Sequence, residues 1–182
     1  MSRQEFYKFS TPESVSDWVK LHYTQKDLDS IDKELHNSES ALSEYKGNYS
    51  KVINDYVRKG QENNQKTYDI VIMQEFLTSR IIDDNIEVYR FVSIAELFNL
   101  WKNTIGDRVY EYPSFLSTTM LKKYYSMKNI RYCRVAISIR IRKGTFGTYI
   151  PEINADMPEF EILMPYRLRI KRINLITYEI TA

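Results

Sequence analysis

The feature that most constrains the fold is a change of hydrophobic period partway along the chain. Up to about residue 82 the apolar residues recur every three or four positions, and from about residue 86 they alternate. These spacings belong to amphipathic helices and to half-buried strands, respectively. The clearest alternation is Val135, Ile137, Ile139 and Ile141 against Ala136, Ser138, Arg140 and Arg142, which predicts one long strand with one buried face. Helices first and strands later, with few strand–helix–strand repeats, predict an α+β fold whose sheet is mixed or mostly antiparallel.

Within the first half, Thr11-Pro12-Glu13 starts a helix carrying Val15, Trp18, Val19 and His22 at helical spacing. Thr24-x-x-Asp27 starts a second, with Leu28, Ile31 and Leu35 on one face. Ala41, Leu42 and Tyr45 continue to Lys46-Gly47-Asn48, which reads as a helix end followed by a new cap. Val52, Ile53, Tyr56 and Val57 form the next helix, ended by Gly60; residues 61–65 read as a polar loop, and Ile70 to Arg80 as a further helix. In the second half, strands are expected at Glu87–Val92, Thr145–Ile150, Glu159–Met164 and Leu168–Thr181, the last broken near Arg172-Ile173. A helix from Ile94 to Asn103 interrupts them, carrying Leu97, Phe98 and Trp101.

With 182 residues, 43% of them hydrophobic and 27% charged, the chain has the size and composition of one globular domain, not of a disordered one. Its helical part spans about residues 10–82 and its β-rich part about 86–182. No apolar stretch approaches the roughly 20 residues of a membrane span. The polar N-terminus lacks the apolar segment of a signal peptide. The single cysteine, Cys133, excludes an intrachain disulfide, and the two histidines, His22 and His36, argue against a metal site. Charge is uneven: eight basic residues and no acid lie between Leu121 and Gly144. Such a run fits a solvated strand face or an anion-binding surface.

Three constellations could carry chemistry. Arg90 lies inside Val88-Tyr89-Arg90-Phe91-Val92, as an outward-facing edge-strand arginine or as a cleft residue whose fork binds phosphate. Phe115-Leu116-Ser117-Thr118-Thr119 offers three hydroxyls, either because threonine favours strands or because hydroxyls orient a carboxylate or ribose. Glu159-Phe160-Glu161 would put two carboxylates on one face of a strand, as a surface pair or in a cleft that stabilises developing positive charge.

Their order decides between these readings. An arginine, then Ser-Thr-Thr 27 residues later, then Glu-x-Glu resembles the bacterial ADP-ribosyltransferase exotoxin family, with its series Arg, Ser-Thr-Ser, (Gln/Glu)-x-Glu. Ala41–Tyr45 with Val52–Arg58 is similar to that family's helical segment, Ile86–Arg90 to its first core strand, and Lys143–Ile150 to its Lys-Gly-x-x-Gly-Ala-Tyr strand. The resemblance runs from about Trp18 to the C-terminus. It implies N-terminal helices packed on a two-sheet β core with a central NAD-binding cleft.

It also implies roles. Arg90 would bind NAD phosphate. Ser117 would hold Glu161, with Thr118 and Thr119 completing the motif. Glu161 would accept the nicotinamide-ribose 2′-hydroxyl and stabilise the oxocarbenium ion. Glu159 would engage the target's nucleophile, and Tyr45 and Asn54 would contact NAD from the helical side. The loop Pro151–Pro158 resembles the turn that recognises the protein substrate, with Met157 and Pro158 where some members carry an exposed aromatic. The sequence departs from the family at Phe91 (a second arginine), Ser114 (an asparagine) and Cys133 (a phosphate-binding arginine), the last a role that Arg131 or Arg134 would assume. Glutamate at 159 matters chemically, because a protonated guanidinium acceptor needs a carboxylate to orient it and take its proton.

The expected function is therefore a mono-ADP-ribosyltransferase toxin or effector that modifies an arginine of a target protein, with NAD as co-substrate and no metal. Actin is the first candidate target and a Rho-type GTPase the second. An NAD glycohydrolase, and a non-catalytic basic module for nucleic acid or an acidic partner, are the alternatives. A monomer is expected, acting in a target-cell cytosol after secretion or delivery by a partner, or as a domain of a longer toxin.

Overall fold

Hydroxyl caps begin the helical half. In the computed structural model, which describes residues 5–59, 64–122, 134–151 and 160–181, β1 (Tyr7–Lys8) leads into α1 (Pro12–His22), where the Thr11 hydroxyl accepts from the Ser14 N–H. In the same way Thr24 caps α2 (Gln25–His36), through Asp27. Both helices begin where the capping signals put them, since each side chain satisfies an N–H that the first turn leaves unpaired.

The next turn departs from expectation. After α3 (Ala41–Glu44) the chain does not stop and cap again at Lys46-Gly47-Asn48; it passes through a π-helical turn, Tyr45–Tyr49, into α4 (Ser50–Lys59). The kink is absorbed at Gly47, whose ψ is −116°. Helix α5 spans Asn64–Thr78, so it starts six residues before Ile70 and includes two residues of the expected polar loop. Met73 and Leu77 are buried on it, as their spacing requires. Gly60 lies outside the described residues.

Beyond β2 (Ile81–Ile82) come β3 (Ile86–Ser93), α6 (Ile94–Asn103), β4 (Val109–Glu111), β5 (Leu116–Thr119) and β6 (Arg134–Ile141). The expected strand at 145–150 is two pieces, β7 (Thr145–Phe146) and β8 (Thr148–Ile150), and they belong to different sheets. Gly147 makes the break, with φ +146°. A Cβ there would stand 2.7 Å from the Met164 side chain and 3.0 Å from the Leu163 carbonyl oxygen, so only glycine fits without a shift. β9 runs Glu161–Met164, and buried Phe160, with φ +44°, interrupts the extended backbone just before it; the expected start at Glu159 lies outside the described residues. β10 (Arg169–Arg172) and β11 (Thr177–Thr181) flank the break expected near Arg172-Ile173.

The large sheet has the order β4-β10-β11-β6-β3-β5-β9-β8, with β1 beside β3. Pairs β1–β3 and β6–β11 are parallel and the others antiparallel, so the fold is α+β with a mixed, mostly antiparallel core. A second sheet is the two-stranded ribbon β2–β7. Two hydrophobic clusters flank the large sheet. One gathers Trp18, Val88, Val92, Leu97, Ile137, Ile162 and Met164; the other gathers Ile31, Leu42, Tyr45, Ile53, Leu77, Phe115 and Leu163 beneath the helices. Strand β9 supplies both clusters in alternation and so is buried on both faces.

The site opens where the sheet is weakest. β6 pairs with β3 along its full length, but β5 meets β3 at one ladder position, Tyr89 opposite Thr119. Past that pair the two strands part, and a cleft lies between them.

Candidate active site

Arg90 stands at the lip of this divergence. It shares its face of β3 with Val88 and Val92, both wholly buried, and β3 is an interior strand. The outward-facing edge-strand reading is therefore overturned. The guanidinium donates to the Ser117 carbonyl (2.8 Å), a main-chain acceptor on the diverging strand, and to Glu96 of α6 through Nε and Nη2 (both 3.3 Å). Tyr112 donates to the same Glu96 oxygen at 2.7 Å. Burial alone would lower the Arg90 pKa, but Tyr112, Glu96 and Tyr45 hold it above the ordinary arginine value. The cation is permanent, and the three bonds use three of its five N–H donors, which leaves two for an anion.

On the opposite lip the β5–β9 register sets Thr119 against Glu161, Thr118 against Ile162 and Ser117 against Leu163. Ser117, Thr119 and Glu161 thus share a face, and Thr118 faces the other way. The Thr118 hydroxyl donates to the Ile162 carbonyl (3.0 Å) and ties the two strands together. Ser117 lines the cleft two ladder positions away from Glu161, on the same face, rather than directly across from it. The Glu161 side chain is 4% exposed and carries an ion pair to Lys46 of the π-helical turn.

Arg90, Ser117, Thr118, Arg134 and Glu161 line one cleft of about 270 Å³, together with Glu96 and Thr119. Tyr45 and Asn54 lie beside it and are not part of its lining. Asn54 bridges two elements: its amide donates to the Tyr45 hydroxyl (3.1 Å), and its oxygen accepts from the Phe115 N–H (3.1 Å) at the entry to β5. Arg58 donates to the buried Ser114 hydroxyl (3.3 Å) on the same approach. Burial, and then the nearby Glu161 charge, push the Tyr45 pKa up to about 12, so its phenol stays protonated. Arg131, Met157, Pro158, Glu159 and Cys133 lie outside the described residues.

Three site residues escaped the sequence reading. Glu96 follows Ser93 at capping-box spacing, and Ser93 does cap α6 through the Glu96 N–H, but the carboxylate turns to Arg90 and Tyr112 instead. Tyr112 and Lys46 had no local signal, since Lys46 is 115 positions from its partner. The basic run also changes meaning. Within it Arg140 pairs with Glu87 and Arg142 with Glu179, so these two of its described cations are neutralised across the sheet. Among the described residues no three His, Cys, Asp or Glu side chains are grouped to hold a metal, and no helix is long and apolar enough to cross a membrane.

A sheet split open between two strands, with a fixed cation on one lip and a buried carboxylate on the other, is an arrangement able to grip an anionic ligand and set a carboxylate against it. Residues 20–180 match the family model described as ADP-ribosyltransferase exoenzyme, and the chain belongs to that family. ADP-ribosyl transfer is the activity that the family's description names.

The fold is similar to that of the ADP-ribosylating toxin BECa of a C. perfringens binary enterotoxin, solved with NADH, at 18% identity and a TM-score of 0.71. That match covers 97% of this chain and 50% of the other, so the chain spans about half that toxin's length. The ADP-ribosyltransferase toxin Plx2a of Paenibacillus larvae is similar at 17% identity and a TM-score of 0.70, covering 97% of this chain and all of the other. An ADP-ribosyltransferase from Clostridium botulinum matches at 18% identity and a TM-score of 0.68, covering 98% of each chain. Among curated protein sequences none matches the chain.

Proposed function

We propose that the chain is a mono-ADP-ribosyltransferase that moves ADP-ribose from NAD to an arginine side chain of a target protein. The observation that carries this reading is the convergence of Arg90, Ser117 and Glu161 on one cleft, in the order expected of the family. Arg90, with donors to spare beyond Glu96 and Ser117, binds phosphate oxygens of the dinucleotide. Arg134, on the same cleft, adds a second cation and takes the role that Cys133 cannot. Ser117 supports the Glu161 side of the cleft, and Thr118 holds β5 and β9 in register.

In the transfer, Glu161 accepts a hydrogen bond from the nicotinamide-ribose 2′-hydroxyl, and its charge stabilises the cation that grows at C1. The C1–N bond breaks with its electron pair leaving on neutral nicotinamide. Glu159 orients the target guanidinium and takes the proton released as its nitrogen bonds to C1. Glutamate rather than glutamine at 159 supports an arginine acceptor. Actin is the first target to test and a Rho-type GTPase the second. Delivery into a target cell by a partner or secretion apparatus, and action as a monomer, complete the reading.

The test is incubation with labelled NAD and a eukaryotic lysate, comparing wild type with folded Glu161→Gln and Glu159→Gln variants. A labelled protein band is expected from wild type only. Glu161→Gln should lower nicotinamide release at least about 100-fold, the usual cost of removing one transition-state charge partner. Glu159→Gln should abolish the band while sparing nicotinamide release. Nicotinamide release with no band in any lysate, or with purified actin and Rho, would make the chain a glycohydrolase instead. A band that resists neutral hydroxylamine would overturn the arginine assignment.

A further inference from the structure

Glu161 is a carboxylate almost wholly withdrawn from water, which costs several kcal/mol unless a partner compensates it. Among the described residues Arg90 does not serve as that partner, because its hydrogen bonds go to Glu96 and Ser117 and none reaches Glu161. Lys46 does. It comes from the helical half, 115 positions away, and its side chain is itself only 13% exposed. The backbone that delivers it is irregular: the π-helical turn Tyr45–Tyr49 widens the helix, and Gly47 kinks it with ψ −116°. π-turns are rare and recur at functional sites because the extra residue re-aims side chains. Here it sends two consecutive side chains toward β9: Lys46 onto the carboxylate, and Tyr45 close enough for the Glu161 charge to act on its phenol.

We infer that Lys46 is a positioning residue for Glu161: its ammonium holds Oε2 and so keeps the other carboxylate oxygen aimed at the ribose hydroxyl. The inference rests on the proposed role of Glu161. Among the described residues, the titratable and charged groups around that carboxylate are Lys46 and Tyr45 from the π-turn, Tyr89 and Arg90 from β3, Glu96 from α6 and Arg134 from β6. Among the described residues Lys46 is the cation paired with Glu161, so its removal leaves that buried carboxylate without the partner that fixes its orientation.

The experiment is steady-state NAD cleavage for wild type, Lys46→Met, Lys46→Arg and Glu161→Gln, each checked by thermal unfolding. Lys46→Met is expected to lower kcat about tenfold with NAD KM changed less than about twofold. Lys46→Arg, which keeps the cation, should recover most of that kcat. A merely structural role would lower the unfolding temperature without that split between kcat and KM and without rescue by arginine. Unchanged or raised kcat in Lys46→Met would overturn the inference, as would a loss confined to KM. If Lys46→Met does not fold, Lys46→Gln takes its place, with the same expected and overturning results. Full activity in Glu161→Gln would instead strike the role of Glu161 itself, and the inference would fall with it.

Discussion

Arg90 shows why the type of cation matters at this site. A lysine there would keep the charge, but one ammonium cannot reach both the Ser117 carbonyl and Glu96 with the geometry of a planar fork. Arg90→Lys should cost about 2 kcal/mol in chemical denaturation, because it leaves a part-buried carboxylate and a strand carbonyl underserved. An unchanged denaturation midpoint would show that the fork contributes nothing. Gly147 is constrained for the opposite reason, the absence of a side chain. Its φ of +146° and the Met164 contact 2.7 Å from any Cβ predict that Gly147→Ala loses about 2 kcal/mol. Gly144, whose φ is +91° but whose Cβ site is open, should lose less in the same substitution.

Among elements, the docking of α4 on the start of β5 matters most to the site. Two side chains of α4 do it: Asn54 joins the Tyr45 hydroxyl to the Phe115 main chain, and Arg58 donates to the Ser114 hydroxyl. Asn54→Ala would strand both groups in a part-buried setting and should cost about 2 kcal/mol. Hydrogen exchange should then rise at Phe115 and along β5 more than in β6, which is held by β3 and β11. Equal protection in variant and wild type would show that Asn54 is not the tie. This element was half legible in the sequence. Helical spacing through Ile53 and Val57 predicted α4, and the family resemblance singled out Tyr45 and Asn54. The π-turn between α3 and α4 was not legible, because Lys46-Gly47-Asn48 carries the local chemistry of a stop and the tertiary pull of Glu161 on Lys46 acts from another part of the chain.

At the scale of the whole molecule, stability should fall at both ends of the pH range. Glu87 is buried, and burial alone would raise its pKa, but hydrogen bonds and the Lys8 and Arg140 charges outweigh burial and hold it below the ordinary value. A depressed native pKa contributes stability above the unfolded value, about 4.5, that is lost as pH falls through the native one. The acid limb of a stability curve should therefore flatten in Glu87→Gln. Tyr45 has the opposite sign: with its native pKa raised to about 12, it contributes stability below pH 10 that is lost between about 10 and 12. Tyr45→Phe should flatten that alkaline limb, with the remainder carried by Tyr23, Tyr89, Tyr110, Tyr112 and Tyr178, all raised mainly by burial.

The sequence by itself determined what depends on near neighbours. Period 3.6 and period 2 placed most helices and strands, Thr11 and Thr24 capped their helices, and the series Arg90, Ser117-Thr118-Thr119, Glu161 marked the candidate site. Tertiary structure decided what depends on distant partners. The parting of β3 and β5 past Tyr89 opens the cleft, the recruitment of Glu96 and Tyr112 fixes Arg90, and the burial of Glu161 summons Lys46. Periodicity and capping act within a turn or a pleat and are written locally, whereas neutralising a buried charge is a cost the chain can meet from any residue that the fold brings near.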